Sequence, residues 1–248
     1  YITTPIRLNT NSFKLFGRSY PSMRISSNGF MAFGPGDSRQ TTTTFETYTA
    51  KDSSIFLAHA DLDTRGVVPY LNSIYYRQSA SPPTNPQRTE LQSIRNLVNR
   101  FYYNHDQFAS FNPDWFWVTS LDGVGYYPER IDKLIYLQVI LAVDSTRDLT
   151  FAIFNTRLEG VAHPETNPII GMIQSTDPSN EMRYLDIMRT VDPTNRVSKE
   201  FARQSNVGVP GLYIYPIHEA VIPESVSIVD SCFNIQATNI SACSGHGS

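Results

Sequence analysis

Two carboxylates carry the first chemical reading. Asp61 and Asp63 stand at i and i+2, directly after the apolar run Ile55 to Ala60. From the turn that must follow such a run, both side chains can converge. A calcium ion would take them as two of its six or more oxygen ligands, the rest coming from loops. A glycosidase would set a carboxylate pair across a cleft, but no other acid in the chain has a claim to pair with either. The third possibility is local. Acids in a turn accept backbone N–H bonds, and Arg65 or Arg77 can neutralise one of them. The local arrangement is favoured, and calcium is the alternative.

No other constellation competes. The histidines are His59, His105, His163, His218 and His246. None forms a helical metal pair or a His-Glu-x-x-His run. A nucleophile elbow is absent, and so is a glycine-rich loop ending in Lys. Cys232 and Cys243 fall near the C-terminus, outside the expected core, which argues against a thiol nucleophile. Between them lies one glycosylation sequon, Asn239-Ile240-Ser241. Trp115, Phe116, Trp117, Tyr126 and Tyr127 could line a sugar-binding face. Alternation puts both indoles on one face of a strand and Phe116 on the other, and core is the favoured role. The expectation is therefore a non-enzyme without a required cofactor.

The elements that must position these residues follow from pattern. The chain has 248 residues and a net charge of −3, which suits one large all-β domain of about 200–250 residues. It has no apolar run near the ~20 residues that span a bilayer. It also lacks the basic bias of a nucleic-acid binder. Fourteen Tyr and fourteen Phe outnumber twenty Lys and Arg, which favours strands.

Residues 1–22 read as an irregular lead-in. Met23 to Phe33 reads as a hairpin about Asn28-Gly29, and 34–53 as a loop. Ile55–Ala60 and Ile74–Arg77 are strands. Over 87–108, Leu91, Ile94, Val98, Phe101, Tyr102, His105 and Phe108 recur at steps of three and four, one stripe of an amphipathic helix. Trp115–Thr119 is a strand, and Asp122-Gly123 reads as a hairpin turn into Val124–Tyr127. Leu134–Val143 is apolar on both faces apart from Gln138, so it is a central strand. Leu149–Phe154, Ile169–Ile173 and Leu212–Pro216 are further strands, and a short helix is expected near 193–204. The fold expected is mainly β: an antiparallel β-sandwich or partly closed barrel with one long and one short α-helix packed on it.

In this order the segments resemble the nidogen-like extracellular (NIDO) domain. Phe16-Gly17 with Ile25–Phe33 is similar to that family's opening hairpin. Ala58–Arg65 followed by Ile74–Arg77 is similar to its "A-D-x-D-T-R … Y-Y-R" block. Trp117–Thr119 with Val124–Tyr127 matches its "V-x-T-W … V-x-Y-Y". Leu137–Asp144 with Thr150–Asn155 matches "F-Q-x-x-L-x-T-D … S-F-A-I-F-N-Y", and Ser205–Gly211 matches "S-N-V-G-V-P-G". Ser120, Thr156 and Leu137 depart from the family's usual Trp, Tyr and Phe, which marks a divergent member.

The resemblance implies an extracellular module, secreted or part of a membrane protein's ectodomain, without catalytic residues. Its expected partner is an extracellular protein or glycoprotein, and its expected role adhesion or assembly. The candidate segments for presenting such a surface are 34–53, 79–86 and 156–168. The alternative is a calcium-dependent, lectin-like carbohydrate binder. The domain is expected over 1–217. Residues 218–248 are expected to form a linker and the start of an EGF-like module, with Cys243 pairing either with Cys232 or downstream. The sequence opens on Tyr1 with no basic or apolar leader pattern, so a signal peptide, if one exists, is expected to have been removed or to lie outside this sequence.

Overall fold

The computed structural model describes residues 2–34, 52–65, 73–128, 130–161, 168–174, 183–187, 201–220 and 222, with backbone alone for 130–133, 157–161, 231–232 and 235–236. The elements are β1 (Ile6–Arg7), β2 (Lys14–Leu15), β3 (Arg18–Ser19), β4 (Ser22–Ser26), β5 (Phe30–Phe33), β6 (Ser53–His59), β7 (Leu62–Asp63), β8 (Ser73–Gln78), α1 (Asn85–Tyr102), β9 (Trp115–Tyr126), β10 (Arg130–Asp144), β11 (Leu149–Val161), β12 (Ile169–Ile173), β13 (Tyr184–Asp186), β14 (Leu212–Pro216), β15 (Ser231–Cys232) and β16 (Ile235–Gln236). The lead-in expected to be irregular contains β1 and the β2–β3 hairpin.

Two antiparallel sheets form a sandwich, so the barrel alternative does not hold. The first runs β1-β4-β5-β6-β12-β13. The second runs β14-β11-β10-β9-β7, with β8 also pairing β9. Strand alternation aims Met23, Ile25, Met31, Phe33, Ile55, Leu57 and Met172 from the first sheet at Trp115, Trp117, Val139, Leu141, Val143, Phe154 and Tyr215 from the second. Both indoles lie in this layer, and Phe116 lies on the opposite face.

The other face of the second sheet carries α1, giving a third layer. Leu91, Ile94, Val98, Phe101 and Tyr102 pack on Phe116, Val118, Phe151, Ile153 and Ile214. Thr84 and Gln87 form a capping box at the helix start, worth about 1 kcal/mol. Each fully buried apolar side chain on the stripe is worth about 1.5–3 kcal/mol, so packing rather than capping holds the helix. The helix stops at Tyr102, short of His105 and Phe108. Turns at 103–111 fold back and bring Phe108 and Phe111 to 5.5 and 4.8 Å from the Phe151 ring. Of the expected short helix, 193–200 lies outside the described residues. Phe201 is helical, and the chain then turns.

The Asp122-Gly123 hairpin is corrected. Strand β9 runs straight through it. Opposite β10, Ile135 faces Val124 while Tyr136 faces Asp122, so Gly123 is an extra residue in the ladder. Its φ is +63°, the left-handed geometry of a glycine bulge. The bulge resets the alternation. Leu121 and Val124, three apart, therefore both enter the core. The turn itself falls after Tyr126.

Candidate functional site

On the helix-bearing face of the second sheet, the chemistry changes within one row of side chains. Phe116, Ala142 and Phe151 stand abreast on β9, β10 and β11. The next row is Val118, Ile140, Ile153 and Ile214. Both rows lie under α1. The row after that is Tyr75, Ser120, Gln138 and Asn155, one residue from each of β8, β9, β10 and β11. On β8 to β11 polar groups begin there, while the β14 position of the same row is the buried Leu212.

Gln138 Nε2 donates to Ser120 Oγ at 3.0 Å, which orients both groups. Asp122 and Tyr136 face each other in the following row. The Thr156 hydroxyl donates to the Tyr136 carbonyl at 2.7 Å. Together with Leu121 and Leu137 these residues line an open concavity of about 370 Å³. Asp122 and Asn155 are exposed, and Tyr75 is 51% exposed. No Lys or Arg lines it among the described residues.

Strand β8 closes one side of this site. Its next residue, Tyr76, points to the opposite face and stacks on Trp117 at 5.5 Å and 6°. Arg77 lies 5.1 Å over the Phe116 ring and bonds Glu90 of α1 at 2.7 Å. These contacts tie the strand to both layers and hold Tyr75 in place. The sequence signal for the site is Gln138, the polar exception in the apolar run Leu134–Val143.

The acid pair stands elsewhere, beside β7. Asp63 is buried. Arg65 bonds its two carboxylate oxygens at 2.8 and 2.6 Å, and the Arg65 amide donates to it at 3.0 Å. Asp61 is exposed, and its carbonyl accepts the Tyr127 amide. The Arg65 guanidinium also lies 5.3 Å over the Tyr127 ring. Among the described residues, no three His, Cys, Asp or Glu side chains are grouped to hold a metal ion. Burial raises the Tyr126 phenol pKa beside this turn.

The remaining sequence candidates divide. His59 packs against Phe30 and Phe56, with Nδ1 2.9 Å from the Asn28 carbonyl. Tyr126 is buried, while Tyr127 is exposed. Of the proposed presenting segments, 79–86 leads into α1, 35–51 and 162–167 lie outside the described residues, and 156–161 is the end of β11. The backbone of Cys232 pairs with Ile235 in the β15–β16 hairpin. Asn239 and Cys243 lie outside the described residues.

The family model of the nidogen-like domain matches residues 21–219, most of the chain. No curated protein and no solved structure matches it. The chain belongs to the nidogen-like domain family. Members of this family are non-catalytic modules of extracellular matrix and cell-surface proteins. Among the described residues, no helix is long and apolar enough to cross a membrane.

Proposed function

We propose that this nidogen-like domain is a non-enzymatic interaction module that acts in adhesion or assembly outside the cell. One observation carries the reading. The second sheet leaves a polar, preoriented row and an exposed tyrosine beyond the edge of its helix cover. A hydrogen-bonded sheet holds these groups rigid, so little ordering entropy is lost when a partner docks. The partner fitting this reading is an extracellular protein or glycoprotein.

Solid-phase binding of the purified chain to a panel of matrix glycoproteins tests it. Saturable binding to at least one, weakened by Tyr75→Ala, is expected. Absence of binding across the panel, together with turnover of a glycan or ester substrate, would replace it with an enzyme.

The calcium-dependent lectin reading rests on Asp61 and Asp63, and Arg65 already engages both oxygens of Asp63. The geometry thus gives it less support. N-glycosylation of Asn239 and oxidation of Cys232 and Cys243 belong to the same extracellular proposal. Glycosidase mass shifts and non-reducing peptide maps test them.

A further inference from the structure

We propose that the concavity along Tyr75, Ser120, Gln138 and Asn155 binds a neutral saccharide, and that the domain recognises the glycan of its partner there. The inference rests on the reading of the domain as an interaction module and names the ligand class of that site.

An outer sheet face is often polar simply because it is wet. Three features exceed that expectation. The residues line a shaped concavity rather than a flat face. Its volume falls in the range of small-ligand sites, about 300–1,000 Å³. The Gln138–Ser120 bond also preorients an amide and a hydroxyl before any ligand arrives.

The lining chemistry selects the ligand. Amides and hydroxyls each offer both a donor and an acceptor, which matches neighbouring sugar hydroxyls whatever their orientation. Asp122 adds a pure acceptor when ionised. Asp122 also sets a carboxylate in the lining, and its like charge disfavours sulfated or sialylated rings. Tyr75 ends the row with an exposed ring, able to stack on the apolar C–H face of a pyranose. Neighbouring strands lie about 4.8 Å apart, so Ser120, Gln138 and Asn155 span about 10 Å, the reach of a disaccharide. A peptide fits less well, because this row crosses the strands and offers no continuous run of backbone partners.

The test uses the full chain on an array of neutral, sulfated and sialylated glycans, followed by titration of each neutral hit. Gln138→Leu and Tyr75→Ala change partly or fully exposed side chains, and thermal melts confirm that each variant folds. Binding to a neutral glycan, weakened about tenfold or more by each variant, is expected. Binding confined to charged glycans, no glycan binding at all, or unchanged affinity in both variants would overturn the proposal. Capture of a matrix glycoprotein that survives removal of its glycans would also overturn it, while leaving the interaction-module reading intact.

Discussion

Arg65 grips Asp63 through two guanidinium nitrogens, at 2.8 and 2.6 Å, and adds its own amide at 3.0 Å. This fork satisfies a buried carboxylate from two residues away and secures the turn after β7. Asp63→Ala is expected to lower stability by about 1–3 kcal/mol, measured by urea denaturation. Excess chelator is expected to leave the wild-type Tm unchanged. A Tm that fell on chelation would instead give the acid pair a bound metal, since a ligand of the native state stabilises it.

Asp144 closes β10 in a comparable way. Its buried carboxylate accepts the amides of Asn112 at 2.9 Å and of Thr146 and Arg147 at 3.1 Å. It joins the turn before β11 to the segment that leads into β9. Asp144→Ala strands these donors and is expected to cost about 3 kcal/mol, with Asp144→Asn less harmful because one acceptor oxygen remains. Chemical denaturation of the two variants side by side checks the order.

His218 introduces a pH dependence. The ring is buried, with Nδ1 3.3 Å from the Thr150 carbonyl and Nε2 3.5 Å from Glu219. Burial lowers its pKa, outweighing the Thr150 bond and the nearby Glu219 and Asp148 charges, while Lys14 adds to the lowering. The neutral ring is therefore favoured in the folded state. Its stabilisation is complete above the unfolded value of about 6.5 and is lost as pH falls through the folded value. The Tm should drop as pH falls below the unfolded value of about 6.5, with a shallower slope in His218→Gln. Melting curves above and below that value decide it.

Gly29 sits at the turn between β4 and β5 with φ +75°. Its carbonyl accepts the amides of Leu57 and Ala58. A Cβ there would lie 2.6 Å from the Ala58 carbonyl oxygen. Left-handed backbone and a clash with main chain act together, so Gly29→Ala is expected to cost about 2–3 kcal/mol. A denaturation midpoint equal to wild type would show that the turn can shift at little cost.

Local pattern revealed much of this architecture. The stripe from Leu91 to Tyr102 lies on an 18-residue helix, Asn85–Tyr102. The run broken only by Gln138 is the strand between β9 and β11. The alternation of Trp115, Phe116 and Trp117 assigned their faces. Asp122-Gly123 misled because a glycine with positive φ serves a bulge as well as a turn. Only the pairing of β10 along the whole of β9 distinguishes the two. The stripe likewise ran on to Phe108, since periodicity cannot tell a continuing helix from a chain folded back onto the same apolar surface.

The candidate site separates the two kinds of information most clearly. The sequence alone determined that Gln138 is a polar exception in an apolar strand, that Asp61 and Asp63 follow a buried run, and that the domain is nidogen-like. Tertiary structure alone decided that Tyr75, Ser120, Gln138 and Asn155 stand in one row, and that Asp63 belongs to Arg65. Side-chain alternation is a local property with a period of two residues, so it survives in sequence. Register between strands far apart in the chain, and the reach of a helix across them, follow from the packing of the whole sandwich.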